Sequence, residues 1–363
     1  MHEYLARLQD PDPSVRRNAA EALGRMGSAA ARPEVIEALV QRLRKDKDWE
    51  VRYGAAWALG SMGEAAARKE VLQVLSQCLR KDKAPGVREA AAHALGKMGE
   101  AAATPEVLGA LIQRLREDAD IRMSAFRVLG KMGPAAATPE VLQALTERLR
   151  EDKDWWVRRE AAEALGKMGE AAATPEVLQA LTERLLRDED WEVRQAAGLA
   201  LGAMGAAAAT QEVLQVLSQC LRKDKVPGVR RNAAEALGKM GPAAATPKVL
   251  GALIQRLRED EVGWVREAAA EALGKMGKAA ATPEVLRALI QALQNRNSDV
   301  RQAAAQALGQ MGTAAATPEV LEALIQALRD RVFDVRQKAA EALRQLLPAH
   351  PEALRAFLRA LTV

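Results

Sequence analysis

The sequence predicts an all-α chain, a solenoid built from about ten copies of one two-helix unit. Three observations support this prediction. The string Leu-Gly-x-Met-Gly recurs every 34–36 residues, the pair Val-Arg (once Ile-Arg) recurs with it, and apolar residues follow helical spacing between these markers. The first glycines of the string are Gly24, Gly60, Gly96, Gly130, Gly166, Gly202, Gly238, Gly274 and Gly309. A tenth copy is degraded and ends at Leu347.

The first helix of each unit, helix A, has the pattern VRxxAAxALGxMG. A residue that can cap a helix N-terminus often lies three positions before the Val. These residues are Asp12, Asp48, Asp118, Asp154, Asp190 and Asn297. The glycine after Met, for example Gly99, predicts that helix A ends in a left-handed C-cap. We expect the Arg after Val to form a structural ion pair or cap.

The second helix, helix B, begins with Thr-Pro-Glu, as at Thr104–Glu106. Thr is a favoured N-cap, and Pro fits the first turn because its missing N–H leaves no hydrogen bond unmade. The pattern EVLxALxxRL then gives one apolar stripe. The sequence therefore predicts a single repeat solenoid over residues 1–363, with an N-terminal capping helix at 1–10, ten repeats at 11–347 and a C-terminal capping helix at 348–363.

Composition excludes several classes of protein. The 53 basic and 48 acidic residues are interspersed and give a net charge of +5, which does not resemble the concentrated basic patch of a nucleic-acid-binding domain. No apolar run is long enough to span a bilayer, and the N-terminus lacks a signal-peptide pattern, so we expect a soluble, cytoplasmic protein. Cys78 and Cys220 lie on apolar helix stripes four repeats apart, which predicts two buried, reduced thiols.

Catalytic and cofactor motifs are missing from the sequence. His2, His93 and His350 have no partners at metal-ligand spacing, and no GxxxxGK[ST] phosphate loop occurs. No nucleophile, base and orienting group can be assigned. We therefore expect a non-catalytic protein without cofactor or metal. We also expect a monomer, because both predicted capping helices look complete.

The pattern DxxVRxxAAxALGxMG followed by a Pro-Glu-Val-Leu helix resembles HEAT-like repeats of the phycobilisome-lyase type. It also resembles the artificial alpha-helicoidal repeat proteins built on that consensus. The resemblance covers residues 10–347 and implies a right-handed superhelix. It also implies that the variable columns of helix A line a concave binding surface. The units here are longer than in those relatives, and the added length lies in the AAATPE link.

Variation among the ten copies is concentrated in six columns of helix A: the two residues before Val, the two after Arg, and the x of AAxAL and of LGxMG. All six Trp residues fall in these columns, whereas structural Trp would be expected in the fixed core columns. Trp and Tyr are common binding hot spots. An alternative is that a Trp just before Val fills a groove between adjacent repeats. The predicted partner-binding residues are Trp49, Tyr53, Trp57, His93, Met123, Arg127, Trp156, Arg159, Trp191 and Leu199.

The sequence therefore predicts a scaffold that binds a protein or peptide on the concave face. One alternative is a nucleic-acid-binding solenoid. Acidic residues in the variable columns oppose that alternative because they would repel phosphates: Glu50, Glu89, Glu163, Glu192, Glu235, Glu267 and Glu271. Another is the sensor portion of a larger signalling protein. A chromophore-lyase activity would rest on the resemblance alone.

Overall fold

A computed structural model describes residues 2–117 and 119–346. These residues form α-helices and short 3₁₀ turns, with no strand among them. The chain divides into two compact units, Met1–Ala172 and Ala173–Val363. Helices of type A and type B alternate along both units as the repeat pattern predicts. The all-helical solenoid fold is therefore confirmed, while a single continuous domain over 1–363 stays a prediction.

Unit 1 contains ten helices in its described residues, of which the even-numbered ones are A helices. Their bounds are α1 His2–Arg7, α2 Pro13–Arg25, α3 Pro33–Lys45, α4 Trp49–Ser61, α5 Lys69–Lys81, α6 Pro85–Met98, α7 Pro105–Leu115, α8 Ala119–Met132, α9 Pro139–Glu151 and α10 Trp155–Met168. The first of these, α1, lies within residues 1–10, where the N-terminal capping helix is predicted.

Unit 2 continues the alternation. Its described helices are α11 Pro175–Arg187, α12 Trp191–Ala203, α13 Gln211–Lys223, α14 Pro227–Met240, α15 Pro247–Glu259, α16 Gly263–Lys275, α17 Pro283–Ala292, α18 Ser298–Gln310, α19 Pro318–Ala327 and α20 Phe333–Leu346. The predicted C-terminal capping helix at 348–363 lies outside the described residues, as do the proposed cap Asp118 and His350.

Most helix starts follow the predicted capping chemistry. The Asp48 side chain accepts hydrogen bonds from the backbone N–H groups of Glu50 and Val51, and Thr104 accepts one from Val107. The prediction fails at Asp154, which occupies the N-cap position of α10 but makes no side-chain cap bond.

Helix A ends differently from the prediction. Gly99 has φ 57° and ψ −135°, so it leaves the helix with positive φ but lies far from the left-handed helical region. The region that Gly99 occupies, with positive φ and extended ψ, is open essentially only to glycine. A 3₁₀ turn, Gly99–Ala102, follows directly and occupies the added length of the unit. The same φ sign recurs at the equivalent glycine of all nine LGxMG copies.

The Arg after Val is an ion-pair residue, as predicted. Arg52 donates from Nε and Nη2 to both carboxylate oxygens of Asp82, at 2.8 and 2.9 Å, and from Nη1 to the backbone carbonyls of Asp46 and Lys47. The arrangement repeats in other units, as Arg16–Asp46, Arg194–Asp224, Arg230–Asp260 and Arg301–Asp330. Each pair ties the start of one A helix to the loop before the next.

Candidate functional site

Adjacent A helices pack almost backbone to backbone where the repeat is regular. The contact joins the first Gly of LGxMG to the last Ala of AAxAL, directly before Leu, in the next repeat. A Cβ built on Gly238 of α14 would lie 2.9 Å from the Cα of Ala272 on α16. The same distance is 2.7 Å from Gly60 to Ala94 and 2.8 Å from Gly274 to Ala307. This close approach requires glycine on one helix and a small residue on the other.

The fourth repeat breaks this rule because larger residues replace two alanines of α8. Phe126 and Val128 stand where the neighbouring α10 carries Ala162 and Ala164, and both large side chains are buried. A Cβ on Gly96 of α6 would meet the Val128 methyl Cγ2 at 3.3 Å instead of a Cα. Helix α8 therefore lies farther from α6 than adjacent A helices do in regular repeats.

The spacing on the other side of α8 is also wider. A Cβ on Gly130 would lie 3.8 Å from the Cα of Ala164 on α10, about 1 Å more than in the regular pairs. Helix α8 accordingly contacts α6 and α10 less extensively than other adjacent A helices within each unit contact each other.

A cleft of about 830 Å³ opens at this irregular repeat. Its lining residues come from the end of α5, from α6 and α8, and from the first turn of α10. They are Leu79, Pro85, Arg88, Glu89, His93, Gly96, Met123, Ser124, Arg127, Val128, Lys131 and Trp156. The cleft therefore brings together four of the predicted partner-binding residues, namely His93, Met123, Arg127 and Trp156.

An internal duplication shows which helix opens the cleft. Residues 71–118 and 213–260 differ at six of 48 positions, so α5–α7 and α13–α15 are near copies. The helix that follows differs, because α16 has Ala270 and Ala272 where α8 has Phe126 and Val128. Since α14 and α16 pack closely, the opening is a property of α8.

The cleft carries an excess of positive charge. Arg127 and Lys131 are exposed on α8, and neither forms an ion pair within the described residues. Arg88 donates to the backbone carbonyls of Asp82 and Lys83. Glu89 is the one acidic residue of the lining.

His93 faces the same positive charge from α6. Burial lowers the pKa of His93 below its ordinary value, and the charges of Lys131 and Lys97 lower it further. His93 is therefore neutral at pH 7, and it adds a hydrogen-bonding group to the cleft without adding charge.

Three predicted residues on α4 lie outside the cleft. Trp49 and Tyr53 are 49% and 40% exposed, and their rings lie over the backbone of Gly86 on α6. Trp57 is half-buried, and its ring is packed against Gly24 of α2, where a Cβ would overlap it. Trp57 therefore fills a groove between α2 and α4.

The remaining predicted residues lie on α10 and α12. Arg159 stacks over the exposed ring of Trp155 at 5.4 Å, next to the cleft residue Trp156. Trp191 and Leu199 belong to unit 2 and are 45% and 38% exposed. Neither residue is among those that line the cleft.

The predicted partner-binding residues do not include Val128 and Lys131, which line the cleft, or the exposed Phe333. Phe333 is 65% exposed on α20 and lies under Arg336 at 5.6 Å. It occupies the same column as Trp49, two residues before Val, so the column itself could have identified it.

The structure offers little chemistry elsewhere. The thiols of Cys78 and Cys220 are buried and free, as predicted, and burial raises the pKa of each to about 12. Within residues 2–117 and 119–346, no cluster of His, Cys, Asp and Glu has the arrangement of a metal site. None of the helices described there is long and apolar enough to cross a bilayer.

Comparison with known proteins identifies the family. A model of HEAT repeats matches the chain in overlapping stretches, at residues 3–69, 36–120, 108–202, 178–274, 250–344 and 289–362. No curated protein sequence matches the chain.

Solved structures agree on the fold. An engineered protein is 22% identical with a TM-score of 0.56, and the match covers 95% of this chain and 98% of that one. Importin beta is 18% identical with a TM-score of 0.69, over 98% of this chain and 54% of that one. The complex of Kap95 with Nup1 matches at 18% identity and a TM-score of 0.68, over 98% and 51%. The chain thus spans about half the length of the importin-type proteins. The matches of the HEAT-repeat model, which run from residue 3 to residue 362, show that the chain belongs to the HEAT-repeat family.

Proposed function

We propose that this chain is a non-catalytic scaffold that binds a protein or peptide through the A-helix face, with the cleft between α6 and α8 as its principal site. The observation that carries the proposal is the convergence in that cleft of four variable-column residues, His93, Met123, Arg127 and Trp156. Variable columns are where an array can change its partner without changing its frame.

The cleft has the composition of an interaction hot spot. Trp156 and Met123 offer apolar surface, and both residues are partly buried before any partner binds. Because their side chains are already restrained by α10 and α8, binding costs little side-chain entropy there. Arg127 supplies a charged donor beside them, and Trp and Arg are enriched among residues that dominate binding energy.

Packing within each unit supports a concave A-helix face. A helices contact their A-type neighbours more extensively than B helices contact theirs. Helices that approach more closely on one side of a layer curve the layer toward that side. A concave face surrounds a bound segment on several sides and buries more of its surface.

The similar solenoids support a protein partner. Their solved complexes include Kap95 with Nup1 and Kap121p with Nup53p. Further contacts in the present chain are proposed at Trp49 and Tyr53 on α4, Arg159 on α10, and Trp191 and Leu199 on α12. Trp57 is proposed to stabilise the packing of α4 on α2 more than to contact a partner, because its ring packs on Gly24.

The proposal is tested by selecting binders from a displayed library of random peptides and measuring the affinity of the winners by fluorescence polarisation. The double variant Met123→Ala, Trp156→Ala is expected to weaken binding at least about 30-fold, the effect of losing a hot spot. The matched control is Trp264→Ala, since Trp264 occupies on α16 the column of Trp156. Equal affinity of the double variant and the control would overturn the assignment of the cleft.

A further inference from the structure

We infer that the occupant of the cleft is an acidic peptide segment, with Asp or Glu carboxylates pairing with Arg127 and Lys131 and a neighbouring apolar side chain packing against Met123 and Trp156. This inference rests on the proposed function and adds the chemistry of the partner.

Among the ten A helices, α8 alone carries a cation at both the x of AAxAL and the x of LGxMG. On α2, α10, α14 and α16 these two columns lie one turn apart and carry opposite charges. Glu21 pairs with Arg25 at 3.6 Å on α2, and Glu271 pairs with Lys275 at 3.5 Å on α16. On α8 the acidic member is replaced by Arg127, which lies one turn before Lys131.

Two like charges at this spacing destabilise a helix slightly instead of stabilising it. No acidic side chain of the described residues forms an ion pair with either Arg127 or Lys131. The repeat that opens the cleft is therefore also the repeat that leaves two cations side by side at its edge. A ligand that brings carboxylates would remove the repulsion and gain two charge-assisted hydrogen bonds.

The opposite side of the cleft does not cancel this charge. Glu89 on α6 is its only acid, and the guanidinium of Arg88 on the same helix is also positive. His93 adds no positive charge at pH 7, because burial and the charges of Lys131 and Lys97 lower its pKa. Basic segments would meet uncompensated repulsion here, so the charges discriminate between partners as well as attract one class of them.

An apolar neighbour completes the recognition. Lys131 and Arg127 lie at the exposed surface, where ion pairs alone add little affinity. The partly buried Met123 and Trp156 supply the desolvated contact that strengthens them. The occupant must therefore carry both kinds of group within a short segment.

The test compares random-peptide selections against the wild-type chain and against the double variant Arg127→Glu, Lys131→Glu. We expect the peptides selected against the wild-type chain to be enriched in Asp and Glu. Their affinity should fall at least tenfold in the charge-reversed variant and weaken as salt is raised. Both substituted side chains are exposed, so the variant should keep its circular dichroism spectrum. The control is Lys275→Glu, the same column on α16, which should leave affinity unchanged.

Each other outcome overturns the inference. Selected peptides that depend on Met123 and Trp156 but are neutral or basic would refute the acidic partner and leave the proposed function standing. A selection that yields no binding peptide would refute both the acidic partner and the proposed function. If oligothymidylate displaced the selected peptides and bound more tightly than any of them, Arg127 and Lys131 would be assigned to a nucleic acid instead.

Discussion

The wider spacing of α8 predicts opposite outcomes for the same substitution at two equivalent glycines. Gly96 on α6 and Gly238 on α14 occupy the same position in the two copies of the internal duplication. Each is replaced by Ala in turn. Within a helix, Gly→Ala stabilises by about 0.5–1 kcal/mol when there is room for the new methyl group. The outcome therefore depends on what that methyl group meets.

At Gly238 the methyl group would lie 2.9 Å from the Cα and 3.2 Å from the Cβ of Ala272. Ordinary carbon contacts are about 3.5–4.0 Å, so α14 and α16 must separate by roughly half an ångström or more. Such overpacking costs about 1–3 kcal/mol, which exceeds the gain in helix propensity. At Gly96 the nearest atoms are the flexible Lys131 Cδ and the Val128 Cγ2, both at 3.3 Å, and these can yield. We expect G238A to destabilise by about 1–2 kcal/mol and G96A to be neutral or slightly stabilising.

Because a repeat chain need not unfold in a single two-state step, the measurement must be local. Hydrogen-exchange mass spectrometry of peptides from α6 and α14 reports the free energy of opening at each helix. Urea unfolding of both variants gives the global comparison. If G96A accelerated exchange in α6 as much as G238A does in α14, then α6 and α8 would pack as closely as a regular pair. The structural origin of the cleft would then be wrong.

Three further predictions concern the frame. Asp260→Asn should destabilise unit 2 by about 3 kcal/mol at pH 7, because it leaves the buried Arg230 without its carboxylate; urea unfolding measures this, and an unchanged midpoint would contradict it. Burial alone would raise the pKa of Asp260, but hydrogen bonds from Arg230 and the Val262 N–H, with the charges of Arg230 and Arg256, hold that pKa below its ordinary value. The pair's contribution is therefore complete above the ordinary carboxylate pKa and is lost as pH falls through the lowered folded value; the Asn variant should lack that acid-side decline. Burial raises the pKa of Cys78 and of Cys220 to about 12, so neither thiol should react with a thiol reagent at pH 8 until the chain is unfolded, and prompt labelling would contradict their burial. Gly241→Ala, at φ 62°, should cost about 1–3 kcal/mol in urea unfolding, whereas a neutral result would mean that the turn does not need positive φ.

Much of the fold is predictable because its signals are local. Thr104 before Pro105, the Gly after each Met, and the Arg–Asp spacing each specify a cap, a turn or a pair through neighbouring residues. The finer geometry was less predictable. The ψ of Gly99 depends on the 3₁₀ turn that follows it, and the missing cap bond at Asp154 cannot be deduced from residue type.

The cleft was predictable only in part. The variable columns on one face predict His93, Met123, Arg127 and Trp156 as partner-binding residues. Their convergence was not predictable, since it depends on Phe126 and Val128 in columns treated as fixed core. The two large residues in alanine columns, together with the 34-residue spacing from Gly96 to Gly130, were the available signal. Converting it into a cleft requires the distance between helices, which one sequence does not contain.

The central claim is that α8 opens a binding cleft, and Val128→Ala tests it most directly because it restores the regular packing residue opposite Gly96. The measurement is the affinity of a selected peptide for this variant and for Ala272→Val, which places the same residue on α16. We predict at least tenfold weaker binding to the first and unchanged binding to the second. Unchanged affinity for Val128→Ala, with α8 shown by hydrogen exchange to remain folded, would contradict the claim.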